Sequence, residues 1–561
     1  MSRGLFRGPL LEKREKWRTP SYFGSVLKKA DPFYFTVKVA HPPYDNMGRL
    51  IGTSTQHTFL PGHNFQNSYT YDVASNRTSL TAPDNSINTY QYDALNRLAT
   101  LTNSLTGQFG FGYDALSRRT QLTRPNGVNT NYTYDSVSHL QSVLHQAGST
   151  TLDGAGYGYD YAGNRTSKTN YLNGITSNYG YDAIYELLQV TQGGGTTESY
   201  SYDAVGNRLS SSGVPTYTYN SSNELTSTSS GGYTYDANGN NLSDASGRSF
   251  TWDFENRLTQ VVNPGVGTTT FRYDPFGRRI QKSGPLGTTD YLYDWTGLGA
   301  NVIEEVDSSG NVLARYTQGL GTDEPLSMLR AGTTSYYNAD ALGSITSLSN
   351  SSAAIANTYT YDSFGKLSAS TGTLANPFQY TGRDYDVETG ARYYRARHYD
   401  PNIGRFISED PIRFEGDGPN FYLYAGENPI TNTDPFGMDY WVEGSVKGEG
   451  GYPFHESVCV GKYEGARNCI SFGVAEDNCI FGCKGEVYRD TSAPGPLRGG
   501  RYTYKYRYTD AATDALISAE FDAMVGTPGP YWLLGNNCVD FSERMYEYLV
   551  QKYHGKVRQK P

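Results

Sequence analysis

A mainly β fold, built by stacking one short repeating unit and followed by a small α+β region, is what this sequence predicts. Three observations carry that expectation: 50 tyrosines and 63 glycines in 561 residues, an aromatic-x-Tyr-Asp pattern that returns at fixed spacing, and the loss of that pattern after "NTDPFGM", Asn432 to Met438. Tyrosine suits a pleated, half-buried surface and glycine suits turns, and the chain has few Met and few charges to suggest helices. Its length permits several domains and a large packed interior without cysteine staples.

The repeat reads "YTYDVASNR", "YQYDALNR", "FGYDALSR" and "YTYDSVSH", with Asp72, Asp93, Asp114 and Asp135 each 21 residues apart. Further copies follow at Asp160, Asp182, Asp203, Asp236, Asp253, Asp274, Asp294 and Asp362, with a degenerate one at Asn220. One unit fits a β-hairpin: an alternating strand such as Tyr69–Tyr71, a turn of Asp, Gly and Asn that tolerates left-handed backbone angles, then a second strand such as "RLATLT". A single hairpin cannot bury its aromatic face, so neighbours must pair edge to edge into a long sheet. The recurring Tyr and Asp could form a carbohydrate or metal array, but a residue present in every repeat is what stacking itself requires. Residues 1–64 show no clear repeat, 65–300 carry the array, 301–438 form a denser segment, and 439–561 are irregular and hold all five cysteines.

The formal charge of −9 is spread along the chain, so wrapping nucleic acid through phosphate contacts is not expected. The basic opening "MSRGLFRGPLLEKREKWR" lacks the apolar stretch of a signal peptide, and no run of about 18 apolar residues appears, so neither a Sec leader nor a membrane span is expected. Export from its cell would need a specialised machine.

The repeats resemble the YD repeats of RHS proteins from Ser68 to Met438. "YYNADALGSITSL" (Tyr336 to Leu348), "YTGRDYDVETGARYYRARHYDPNIGRFISEDPI" (Tyr380 to Ile412) and "NPITNTDPFGM" (Asn428 to Met438) match the core signature of that family. The resemblance implies a sheet spiralling into a hollow shell around the polypeptide that follows, although the family's shells use more repeats than this chain offers, so the shell is partial or complete.

Asp410 in "SEDPI" and Asp434 in "NTDPFGM" each precede a proline. Two carboxyl groups held close cannot both ionise, so one serves as acid and the other as base. The resemblance implies that such aspartates cut the chain after the motif's last residue, here the Met438–Asp439 bond. Met438 stands where the family pattern has Leu, a small change of shape. Arg413 stands where it has Gly, and a cation there would lower the pKa of Asp410 and favour a doubly ionised pair. The bland reading makes both Asp-Pro pairs simple turn formers.

Residues 439–561 suffice for one small α+β domain. "HESVCVG", "NCISFGVA" and "GEVYRDT" suggest early strands, "RYTYKYRYT" an exposed strand, and "DAATDALISAEFDAMVG" a helix capped by Asp510 and ended by Gly526. In "PGPYWLLGNNCVDFSERMYEYLVQKY", Cys538 falls at the first turn of a predicted helix, where the helix dipole raises the thiolate fraction of a nucleophile. His455 is the best base, and Asn468 or Ser471 could orient it. The order of these elements resembles circularly permuted papain-like hydrolases of the NlpC/P60 and lecithin:retinol acyltransferase kind, which implies a cysteine hydrolase, deamidase or acyltransferase. A buried structural role for Cys538 is the alternative. Cys459, Cys469, Cys479 and Cys483 read as packed thiols, as two disulfides in an oxidising compartment, or as part of a zinc site; no cofactor or metal is called for.

The RHS resemblance implies a polymorphic toxin delivered from a bacterial cell to a competitor, with a cognate immunity protein and a secretion or shell-closing partner. A nuclease effector is the runner-up, against which residues 439–561 carry 14 Lys and Arg to 16 Asp and Glu. A non-enzymatic adhesion protein is the third reading.

Overall fold

The computed structural model describes residues 43–296, 301–413 and 419–438, together with the backbone of strands at 38–39, 457–461, 467–474 and 485–489. Among these, strands follow one another in sequence order without crossovers: a 16-stranded sheet from Lys38–Val39 to Arg208–Ser211, a three-stranded sheet from Tyr217–Tyr219 to Gly231–Gly232, and a 14-stranded sheet from Thr234–Tyr235 to Leu367–Thr371. All pairs are antiparallel, as hairpins joined by short turns must be.

Each repeat is held by the same small set of bonds. Asp93 Oδ1 accepts the backbone N–H of Leu95 and of Arg97 at 2.9 and 3.0 Å, and Arg97 Nε donates to Asp93 Oδ2 at 2.7 Å. Asp114 with Arg118 and Asp253 with Arg257 repeat this geometry. Asn96, Ser117 and Asn256 occupy the third position after the aspartate with φ near +60°, which explains why the pattern favours Asn, Ser or Gly there. The arginine then reaches forward one repeat, where Arg97 Nη1 donates to the carbonyl of Asp114 at 3.1 Å and its guanidinium lies 4.7 Å from the Tyr113 ring centre. The second tyrosine reaches backward, with Tyr113 Oη donating to Leu98 O and Tyr134 Oη to Arg119 O. Tyr and Asp are therefore structural in the array. Asn220 makes the same turn, and so does Asp45 with Arg49, whose distance to Asp72 departs from the 21-residue period and hides it from a spacing search.

The first tyrosine of each unit faces inward. Tyr69, Leu80, Leu101 and Phe109 of the 16-stranded sheet pack against Ile303, Leu326 and Tyr336 of the 14-stranded sheet. Polar ties accompany this packing: Arg77 pairs with Asp294 at 2.5 Å, Lys168 with Asp340 at 2.9 Å, and Arg119 with Glu324. Strand Val302–Val306 is buried at every residue, so its two glutamates lie inside, and burial pushes Glu304 up to about 8.

The segment from Phe378 to Met438 packs against all three sheets. It holds a four-stranded sheet from Asp384–Asp386 to Arg405–Phe406 and an aromatic cluster of Tyr380, Tyr394, Tyr399, Phe406 and Tyr424. Buried ion pairs fasten it: Arg208 to Glu427 at 3.0 Å, Arg248 to Asp400, and Arg279 to Asp386. Beyond the junction, Ser457–Gly461, Arg467–Val474 and Gly485–Arg489 form a three-stranded antiparallel sheet where early strands were expected.

Leu101→Ala, at a fully buried position, is expected to cost about 2–5 kcal/mol, and Tyr113→Phe, which removes one tie to the previous hairpin, about 1 kcal/mol. Urea unfolding of the two variants beside the parent measures both, and equal losses would mean that the apolar interior does not dominate the array.

Candidate active site

Asp410 follows the short strand Arg405–Phe406, and Asp434 lies in the last described turn, so 24 residues separate them in sequence. Backbone bonds bring them together. Asp410 N donates to Phe421 O at 2.9 Å, Ile407 N to His398 O at 3.0 Å, and Ala396 N to Phe436 O at 3.1 Å, which folds the junction back over strand Arg397–Asp400. Gly437, at φ 64°, sits so close to the Tyr394 carbonyl that a Cβ there would collide with it.

Arg397 holds the two carboxylates. Its Nη2 lies 2.8 Å from Asp410 Oδ2 and 3.2 Å from Asp434 Oδ2, and all three side chains are at most 3 % exposed. The remaining donors bind the backbone on either side: Nε donates to Gly437 O and Nη1 to Phe421 O at 2.9 Å. Its guanidinium lies over the Phe406 ring, 3.6 Å from the centre, which fixes the plane of the fork. Each aspartate also caps its own turn, since Asp410 Oδ1 accepts Ile412 N at 2.9 Å, and Asp434 Oδ1 accepts Phe436 N at 3.2 Å and Met438 N at 3.1 Å.

Burial drives the protonation of this pair. Asp434 is pushed up to about 7, first by desolvation and then by the charge of Asp410, against the opposing pull of Arg397. One cation shared by two buried carboxylates leaves one charge too many, and a proton on Asp434 removes it. A neutral carboxylic acid beside a carboxylate can both donate and accept a proton.

Sequence reading named Asp410 and Asp434, and the structure brings them together. It did not name Arg397, whose only sequence signal is its place in the unusual "YYRARHYD" run. The cation it did name, Arg413, is exposed and pairs with Glu409 at 3.3 Å. Arg413 is close to Asp410 along the chain, but its backbone, at φ 50°, turns there. His455 and Cys538 lie outside the described residues. Asn468 and Ser471 fall on the middle strand of the three-stranded sheet, and Cys459 stands opposite Cys469 in its register.

Comparison with known proteins places these features. The teneurin YD-shell family model matches residues 155–430 and the RHS repeat model residues 92–128. Over 251 residues the chain is 33 % identical to the tRNA3(Ser)-specific nuclease WapA of Bacillus spizizenii, a match covering 44 % of this chain and 9 % of that protein. It is 30 % identical over 207 residues to the double-stranded DNA deaminase toxin A of Burkholderia cenocepacia, covering 31 % of this chain and 14 % of that one. The chain thus spans only a small part of these relatives. The crystal structure of TcdB2-TccC3-Cdc42 shares the fold, with a TM-score of 0.60 and 20 % identity over 71 % of this chain and 23 % of that one.

Removing Arg397 leaves two buried carboxyl groups without a cation. Arg397→Gln is expected to cost about 3–5 kcal/mol at pH 8 and markedly less at pH 5, where Asp434, raised to about 7, is protonated and less buried charge is left without a cation. Thermal unfolding of the variant and the parent at both pH values checks this, and a loss independent of pH would contradict the electrostatic role.

Proposed function

Since this chain is an RHS/YD-repeat protein, we propose that its β-shell is the container of a polymorphic toxin, which cuts itself after Met438 and releases residues 439–561 as an effector. The observation that carries this reading is the meeting of Asp410 and Asp434 on one buried guanidinium, next to the backbone of Met438.

In this mechanism Asp410, nearer to Arg397, carries the charge, and Asp434 carries the proton. A water attacks the Met438 carbonyl carbon and gives its proton to Asp410, while Asp434 delivers its proton to the Asp439 nitrogen as the C–N bond breaks. The products are a Met438 carboxylate and an Asp439 amine. Asp434 holds the Met438 N–H, and Arg397 holds the Gly437 carbonyl, so both groups position the last peptide units.

The released segment is read as a cysteine hydrolase, deamidase or acyltransferase with Cys538 as nucleophile and His455 as base. The relatives named as a tRNA nuclease and a DNA deaminase support a second reading, an effector that acts on nucleic acid. Either effector requires an immunity protein in the producing cell and a delivery system that carries the chain out.

Intact mass under denaturing conditions is expected to show two fragments for the parent and one full-length chain for Asp410→Asn and for Asp434→Asn; an uncut parent would sink the proposal. The acid must be protonated, so the cleavage rate of chain refolded from denaturant should fall about tenfold per pH unit above about pH 7. For the effector, growth of bacteria expressing residues 439–561 in the cytoplasm or periplasm is expected to stop and to recover with Cys538→Ala. Equal arrest by both versions would favour the nucleic-acid reading.

A further inference from the structure

All five cysteines lie beyond the junction, and five thiols leave many pairings open in sequence. Strand register singles out two of them. Strand Ser457–Gly461 pairs antiparallel with Arg467–Val474, and Cys459 stands directly opposite Cys469, with Ser457 opposite Ser471 and Gly461 opposite Arg467. Directly opposed residues of an antiparallel pair have Cα atoms about 4.5 or 5.5 Å apart, according to whether the two residues exchange backbone hydrogen bonds. A disulfide spans Cα separations of about 4.4 to 6.8 Å, so either kind of pair brings two cysteines within its reach.

The face on which the two cysteines fall argues the same way. Successive residues of a strand alternate between faces, and opposed residues share one. Val458, Val460, Ile470, Phe472, Val474 and Val487, all the aliphatic residues of the three strands and their one phenylalanine, therefore share a face. Cys459 and Cys469 fall on the other, with Ser457, Arg467, Ser471, Glu486 and Tyr488. A free cysteine kept for packing behaves as a small apolar residue and belongs with the valines. Two cysteines opposed on the serine-bearing face are placed for each other.

We infer from this juxtaposition, two cysteines directly opposed on one face of an antiparallel strand pair, that Cys459 and Cys469 form a cross-strand disulfide when the chain meets an oxidising compartment. The oxidant is a small-molecule disulfide or a thiol–disulfide oxidoreductase. One thiolate attacks a sulfur of that disulfide and expels a first thiol; the second thiolate attacks the mixed disulfide and expels the other, so the protein loses two hydrogens and the oxidant becomes two thiols. The bond staples the first two strands of the sheet, and a reducing compartment leaves two free thiols in its place. It depends on neither the self-cleavage nor the effector chemistry proposed above.

Peptide mapping of the full chain tests this. The chain is reduced, equilibrated with glutathione disulfide, alkylated with N-ethylmaleimide, and digested with trypsin and glutamyl endopeptidase. Cuts after Glu456, Lys462, Arg467 and Glu476 put Cys459 and Cys469 in separate peptides and part Cys469 from Cys479 and Cys483. The expected product is one linked pair, residues 457–462 joined to 468–476, lighter than the two free peptides by two hydrogens and separated by dithiothreitol. In Cys459→Ser the link is lost and Cys469 is alkylated, and Cys469→Ser gives the reverse. Oxidation in urea, where the register is gone, should scatter the links among the five cysteines. Both thiols alkylated at every glutathione ratio, or Cys459 joined to Cys479, Cys483 or Cys538 in the folded chain, would overturn the inference. An equally exclusive Cys459–Cys469 link in urea would overturn it too, since the register would then not be what selects the pair.

Discussion

Everything in this molecule depends on an aspartate carboxylate closing a five-residue turn. The carboxylate takes the backbone N–H groups that a tight turn leaves unpaired, as Asp93 does for Leu95 and Arg97. With the turn fixed, the next strand must return antiparallel, and its tyrosine meets the preceding hairpin. Tyr113 then ties itself to Leu98, and Arg97 ties forward to Asp114. No single bond of this kind is large, each being worth about 1 kcal/mol. Their repetition in register turns a weak local preference into a long sheet, because each hairpin supplies the partner its neighbour lacks.

The junction uses the opposite logic. In the array, carboxylates near the surface sit in hydrogen-bonded turns that favour their charged form, whereas at Asp410 and Asp434 burial sets two carboxyls against one arginine. The same residue type is thus a turn-former in one place and half of an acid–base pair in the other. The difference is made by Phe406, Phe421 and Gly437, which bring backbone and ring atoms around Arg397 and leave no room for solvent to screen the charges. The core segment that performs this is itself fixed by Arg208, Arg248 and Arg279, each buried against a carboxylate.

Much of the fold was legible in advance because period and alternation are local properties. Asp72 to Asp135 announced hairpins, and the irregular tail's early strands were read from short alternating runs. The turn at Asp45 escaped because its spacing breaks the period, although its geometry does not differ from the others. At the site, the Asp-Pro dipeptides drew attention to Asp410 and Asp434. Arg397 was invisible, since it lies 13 residues before one aspartate and 37 before the other and no spacing rule links them. Arg413 misled for the same reason, as nearness along the chain is not nearness in a turn whose backbone reverses.

The sequence by itself determined the hairpin, its turn chemistry, the face that turns inward and the point where repetition stops. All of these follow from side-chain preferences over a few residues. Tertiary structure alone decided which cation serves the two aspartates and which of them is driven toward neutrality. It also decided which turn tips are buried, as Phe364 is, and which stand exposed, as Leu95 does. Desolvation and charge pairing act through space, so they are set by segments that the sheet brings together from distant parts of the chain.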